Sequence, residues 1–185
     1  MKIAVTGATG RVGRHIVDVL EERGHEPVPI SRSNGFDVIT AAGLAEALAG
    51  TDVVIDAATG ASPEQQAATE FFTTAARNIQ THAAAAGVRR VVTVSIIGCE
   101  RFVAGYSAAK FAHEQAALAG PVPAVILRAA QFPSSSKNSS TGAVRARSRP
   151  RALRLRGLLP SPHATLAGPT FAEWLETRTP AARTF

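Results

Sequence analysis

Met1-Lys2-Ile3-Ala4-Val5-Thr6-Gly7-Ala8-Thr9-Gly10-Arg11-Val12-Gly13 opens the chain, and its reading decides the fold. The run Lys2–Thr6 reads as a strand, and the segment from about Gly10 to Arg23 as a helix stopped by Gly24. Between them the glycines have separate physical tasks. Gly7 permits a tight turn, Gly10 lets backbone amides approach a pyrophosphate, and Gly13 lets the helix pack closely. The helix N-terminus adds unpaired N–H groups and the positive end of its dipole. Glycines so spaced also mark ordinary turns. The context of strand, loop, helix and second strand within about thirty residues favours a dinucleotide loop built from Thr6, Gly7, Thr9, Gly10, Arg11, Val12 and Gly13.

Outward from this loop, short β-branched runs alternate with longer Ala-rich segments. Pro27–Ser31 predicts a second strand, Leu44–Ala49 a short helix closed by Gly50, and Asp52–Ala57 a buried third strand. Pro63 suits the first turn of a long helix running to about Ala86 and stopped by Gly87. Arg90–Ser95 predicts a fourth strand, Ser107–Ala119 a fourth helix and Val122–Arg128 a fifth strand. Nearly continuous apolar strands separated by helices imply a parallel sheet covered on both faces. The expectation is an α/β, doubly wound, Rossmann-type domain over residues 1–132, with strand order 3-2-1-4-5.

The rhythm stops after Phe132. Residues 133–140 are polar and low in complexity, and Arg145 to Arg156 places arginine at nearly every second position. Such a stretch has too little apolar surface to offset the entropy of ordering it, so residues 133–185 are expected to form a disordered basic tail. Under high-GC codon usage, residues 134–149 can also be back-translated so that a neighbouring frame reads EFVEELLDWGRQGEVA, an amphipathic helical string. A frameshift near Phe132 that replaced a substrate-binding region is the sharper reading.

Of the 185 residues, 45% are hydrophobic, enough for a packed core, and the net charge is +6. Residues 1–132 hold eleven Lys/Arg against twelve Asp/Glu, and residues 133–185 nine against two. The basic excess lies outside the expected domain, which argues against a nucleic-acid footprint on the fold. No apolar run is long enough for a membrane span, and Gly7 interrupts the first apolar stretch too early for a signal peptide. Cys99 is the single cysteine, so no intramolecular disulfide can form, and a reducing cytoplasm is the expected location. The five histidines show no metal-ligand spacing, and no metal site is expected.

Strand two ends in Ile30-Ser31-Arg32-Ser33, with no carboxylate to accept from the ribose hydroxyls. Arg32, flanked by Ser31 and Ser33, offers a charge-assisted fork for a 2′-phosphate instead, which favours NADP over NAD as cofactor. The small residues Ala57, Ala58 and Thr59 after strand three would let the chain pass close to ribose and phosphates. Tyr106 and Lys110 stand four apart on one helical face, suited to a phenol acting as general acid or base beside an ammonium. Ser95, ending strand four, could donate to a substrate carbonyl or merely satisfy backbone groups. Cys99 lacks a histidine partner and reads as an inert thiol, while His113 and Glu114, adjacent on a helix, point apart.

These motifs carry a resemblance. TGATGRVG at residues 6–13 resembles the extended and atypical branches of the short-chain dehydrogenase/reductase superfamily. Asn78-Ile79, followed by Ala83 to Val92, is similar to that superfamily's approach to its fourth strand. Gly105-Tyr106-Ser107-Ala108-Ala109-Lys110 with Glu114, then Ile126 to Phe132, resembles NmrA-like NAD(P)H-binding oxidoreductases. The resemblance implies an adenine-side role for Asp37, a ribose contact for Lys110 and a proton-relay water held by Asn78. It implies an NAD(P)H-dependent oxidoreductase acting on a small carbonyl or quinone-like substrate. The rival from another class is a non-catalytic NADP(H)-binding redox sensor acting through a protein partner. An intact Tyr106–Lys110 pair favours the first, and the rewritten region after Phe132 the second. Substrate, reaction direction and oligomeric state are not encoded in any motif found.

Overall fold

The computed structural model describes residues 1–129, so the sequence expectations for residues 133–185 lie outside it. Five strands form one all-parallel sheet: β1 (Lys2–Thr6), β2 (Glu26–Ile30), β3 (Val53–Asp56), β4 (Arg90–Ile96) and β5 (Ala124–Ala129). The connecting helices are α1 (Arg11–Glu22), α2 (Leu44–Leu48), α3 (Gln65–Ala85) and α4 (Gly105–Leu118). Among the described residues no helix is long and apolar enough to cross a membrane.

Alternation along the strands splits the core into two layers. Ala4, Val54 and Val91 pack with Leu44 and Leu48 of α2 and Ala75, Ile79 and Ala83 of α3. On the opposite face Ile3 and Val5 pack with Ile16, Val17 and Leu20 of α1. The sheet is therefore doubly wound, as expected. Its order is 2-1-3-4-5 rather than 3-2-1-4-5, because β3 pairs with the free side of β1 and not with β2. Proline supplies the reason. Pro27 and Pro29 stand two apart, opposite Ile3 and Val5, so both missing N–H groups fall on the same side of β2. That side cannot carry a ladder, which makes β2 an edge.

Two local details also depart from the sequence reading. Helix α3 begins at Gln65 rather than Pro63, because Glu64 caps it: its carboxylate accepts from the Ala67 N–H at 2.9 Å. Helix α4 begins at Gly105, whose N–H donates to Gln65 Oε1 at 2.7 Å and so fixes the start of α4 to the start of α3. At the other end of this pair, buried Gln80 donates to the Ala117 carbonyl at 2.7 Å and accepts from the Val122 N–H at 2.9 Å. A Cβ at Gly120 would stand 2.3 Å from Gln80 Cδ, so the turn into β5 is shaped around that amide.

Candidate functional site

With order 2-1-3-4-5, the chain leaves β1 to one side for β2 and crosses to the other for β3. The carboxyl ends of β1 and β3 therefore flank the point where ligands settle in open α/β sheets. A cleft of about 410 Å³ opens there, lined by Gly7, Thr9 and Gly10, by Ile30 to Arg32, by Phe36 to Ile39, and by Ala57 to Ala61 with Phe71. Its size falls in the range of cofactor pockets.

The glycine loop is built by steric necessity. Gly7 has φ +66, and a Cβ there would lie 2.7 Å from the Ala57 carbonyl oxygen. A Cβ at Gly13 would lie 2.1 Å from the Gly7 carbonyl oxygen, so Gly13 permits the first turn of α1 to close on its own loop. Gly10 is the N-cap of α1; no side chain caps the helix and no acidic residue occupies its first turn. Among the described residues the first amides of α1 have no recorded protein acceptor, and an open helix N-terminus next to the cleft-lining Gly10 suits an anion. Thr6 lies underneath rather than in the cleft: it is fully buried and its hydroxyl donates to Asp56 Oδ1 at 2.6 Å. Arg11, Val12 and Gly13 likewise do not line the cleft.

Across from this loop, β2 runs into a short turn, Arg32–Asn34, where the Ser31 and Ser33 hydroxyls share a hydrogen bond of 2.8 Å. Arg32 lines the cleft, and among the described residues no carboxylate pairs with it. Asp37 folds the next loop by accepting from the Ile39 N–H at 2.7 Å and the Thr40 N–H at 3.3 Å. Asn78 clamps the same loop from α3, donating to the carbonyls of Val38 at 2.9 Å and Ile39 at 2.8 Å. Both of its donors are thus occupied in shaping the cleft wall. Phe36 and Phe71 supply apolar walls that sequence reasoning missed; both could have been sought as aromatics close to the two cleft loops.

Tyr106 reaches the rim through Thr59, hydroxyl to hydroxyl at 3.1 Å. Its ring packs edge-on against Phe72 of α3, with centroids 5.7 Å apart. Lys110 does not line the cleft. It is buried, donating to the Val94 carbonyl at 2.8 Å and bonded to His113 Nδ1 at 2.9 Å, with its ammonium 4.3 Å from the centre of the Phe72 ring. Burial pulls its pKa down to about 8, against the attraction of Asp56. His113 Nε2 in turn meets Asp56 Oδ2 at 2.8 Å, and Asp56 Oδ1 also accepts from the Ala58 N–H at 3.1 Å. Burial pushes the Asp56 carboxyl up, but the bonds from His113 and the Thr6 hydroxyl outweigh it and hold the pKa below the usual carboxylate value. A buried polar row thus ties α4 to the ends of β1 and β3. His113 and Asp56 were not among the sequence candidates, since their contact spans 57 residues.

Ser95 also sits away from the cleft. It is buried, with its hydroxyl 3.7 Å from Cys99 Sγ. Cys99 donates to Glu114 at 3.1 Å, and burial raises its thiol pKa to about 11, in keeping with an inert thiol. Glu114 is held by Arg128 in a two-pronged pair at 3.0 and 2.7 Å, and so points away from the partner of its neighbour His113, as expected. Burial would raise the Glu114 pKa, yet the Arg128 bonds bring it below the usual value.

Comparison with known proteins agrees with this geometry. A family model described as NAD(P)H-binding matches residues 34–148, more than half of the chain. No curated protein sequence matches. Among solved structures, a short-chain dehydrogenase/reductase superfamily protein from Agrobacterium tumefaciens with bound NAD shares 23% identity over 72% of this chain and 51% of its own, with a TM-score of 0.58. The Bordetella bronchiseptica enzyme WbmG in complex with NAD shares 22% identity over 77% of this chain and 60% of its own, at a TM-score of 0.60. UDP-N-acetylglucosamine 4-epimerase from Bacillus cereus shares 22% identity over 69% of this chain and 53% of its own, at 0.58. The chain spans about half the length of the first of these structures, and the likeness to them is one of fold. With a Rossmann-type cleft at the switch point and a family match over residues 34–148, the chain belongs to the NAD(P)H-binding family.

Proposed function

We propose that this protein is an NAD(P)H-dependent oxidoreductase of atypical, NmrA-like short-chain type, with NADP(H) preferred over NAD(H). The observation that carries the reading is one cleft lined both by Gly7 and Gly10, at the uncapped N-terminus of α1, and by Arg32, which has no carboxylate partner among the described residues. In this reading the α1 amides hold the pyrophosphate, and Thr9 and Ser31 add polar contacts to the phosphates and ribose. Arg32 grips a 2′-phosphate, and Asp37 with Phe36 and Phe71 bounds the adenine side. Ala57, Ala58 and Thr59 are small enough to let the dinucleotide pass over the end of β3.

The bound cofactor supplies the hydride. The chain supplies position and a proton: the Tyr106 hydroxyl, oriented by Thr59, donates to the oxygen of a small carbonyl or quinone-like substrate as the hydride reaches carbon or ring. Lys110 assists as a buried cation four residues along the same helix. Ser95 remains part of the proposal only as a supporting hydroxyl beneath the site. Turnover of a quinone or aldehyde panel with NADPH tests the reading, and Tyr106→Phe should abolish it while leaving NADPH binding intact.

A second reading has its own support. Lys110 is bonded inward to His113 and Val94, and Ser95 lies beside Cys99, which fits a non-catalytic NADP(H) sensor acting through a protein partner. Saturable NADPH binding without turnover on any panel member would favour it.

A further inference from the structure

Lys110 carries three N–H donors and a full charge into a site that is 6% exposed, so its acceptors decide where the ammonium sits. Two are present: the Val94 carbonyl and His113 Nδ1. An ammonium has no lone pair, so the 2.9 Å contact is a hydrogen bond only if Nδ1 is bare. The histidine proton must then lie on Nε2, where it donates to Asp56 Oδ2 at 2.8 Å. Asp56 is itself fixed, because its other oxygen accepts from the Thr6 hydroxyl and the Ala58 N–H. The His113 ring is held flat by stacking on Phe72, with centroids 4.8 Å apart and planes at 18°. Every member of the row thus has one consistent proton assignment.

We propose that His113 is a positioning residue for Lys110: its bare Nδ1 fixes the ammonium at a buried station away from the cleft wall, and Asp56 locks the tautomer that makes this possible. The proposal deepens the oxidoreductase reading, since it places the lysine of the Tyr106–Lys110 pair under the control of a group outside that pair. The charged or titratable groups around the station are Asp56 from β3, Cys99 from the turn after β4, and Glu114 from α4, with Phe72 of α3 as a neutral wall. Adding a proton to His113 would convert the acceptor into a second cation 2.9 Å from the ammonium, and the two could not both stay. His113 must therefore be neutral for Lys110 to occupy this position.

The chain has three lysines, Lys2, Lys110 and Lys137, so side-chain nitrogen NMR of the full-length protein can follow Lys110 individually. In the wild type, the His113 ring should show a protonated Nε2 and a bare Nδ1, and Lys110 should titrate near 8. His113→Phe keeps the stack on Phe72 but removes the acceptor, and should weaken proton binding at Lys110 about tenfold, the worth of one charge-assisted hydrogen bond. His113→Asn restores a carbonyl acceptor near the place of Nδ1 and should bring the titration back toward wild type. A proton on Nδ1 in the wild type overturns the proposal, as does a folded His113→Phe protein with unchanged Lys110 titration. Should His113→Phe fail to fold, the wild-type tautomer and the His113→Asn titration decide alone. NADPH binding measured in parallel separates the two claims. Absent binding with the expected NMR result removes the cofactor reading and leaves the positioning role standing, and the reverse pattern does the opposite.

Discussion

Asp56→Asn should be the most damaging isosteric change in the domain. The carboxylate is 1% exposed and accepts three hydrogen bonds: from Thr6 Oγ1 at 2.6 Å, from the Ala58 N–H at 3.1 Å, and from His113 Nε2 at 2.8 Å. An amide can keep its oxygen toward Thr6 and Ala58, but its NH2 then faces His113. To accept from it, the imidazole must move its proton to Nδ1, where it meets the Lys110 ammonium. One atom changed in β3 therefore leaves a buried cation without its acceptor on α4. Breaking a buried charge pair in this way costs about 3–5 kcal/mol, or roughly 10–15 °C in melting temperature for a domain of this size. The pH signature is equally specific. Its hydrogen bonds hold the folded Asp56 pKa below the usual 3.8, so its stabilising contribution is complete above about 4 and is lost as pH falls below that. Thermal melts followed by circular dichroism, at neutral pH and across this acid window, read both effects. A variant within about 1 kcal/mol of wild type, or one that keeps the wild-type acid limb, would refute the reasoning.

Other outcomes follow from the same geometry. Gly13→Ala places a methyl 2.1 Å from the Gly7 carbonyl oxygen and should destabilise the fold by about 1–3 kcal/mol in urea melts; a neutral result would mean that the loop yields easily. Arg32→Ala should weaken NADPH roughly ten- to a hundredfold and leave NADH nearly unchanged, since a charge-assisted contact is worth about 1.5–3 kcal/mol. Equal weakening of both cofactors would show that Arg32 supports the loop instead of reading the phosphate. Lys110 has a folded pKa of about 8 against 10.5, so between these values the unfolded chain binds a proton that the folded one does not. Stability relative to Lys110→Met should therefore rise with pH across that window, by on the order of 3 kcal/mol at most. Cys99 pulls the other way above about 9, its thiol being held protonated to about 11 in the fold, and comparing the two proteins cancels it.

Much of this is legible in the amino-acid sequence. Nearly continuous apolar runs such as Val53-Val54-Ile55 and Val91-Val92-Thr93-Val94 name buried parallel strands, and the glycine loop names the cleft. Nine of the residues singled out for cofactor contact, from Gly7 to Thr59, line one cavity. The strand order differs from the expected 3-2-1-4-5 although its signal is present in the sequence: crossover handedness leaves both orders open, and Pro27 and Pro29 bar pairing on one side of β2. The buried row was out of reach for a different reason. Asp56 looks like the polar end of a strand and His113 like one helical residue among many, and only the packing of α4 against β3 brings them to 2.8 Å. Lys110 shows the same limit. Its spacing from Tyr106 is local and readable, but the direction in which its ammonium points is set by His113 and Val94.

The central claim, that the cleft between the loops after β1, β2 and β3 holds a nicotinamide dinucleotide by the open end of α1, is tested most directly by titrating NADPH and NADH into the protein and into Gly10→Val while following nicotinamide fluorescence. The account predicts saturable binding of both cofactors to the wild type, tighter for NADPH, and loss of both in Gly10→Val. The valine puts a branched side chain where the pyrophosphate meets the backbone, and the unchanged far-ultraviolet spectrum should show that the fold survives. Equal affinity in wild type and variant, or no binding to the wild type, would contradict it.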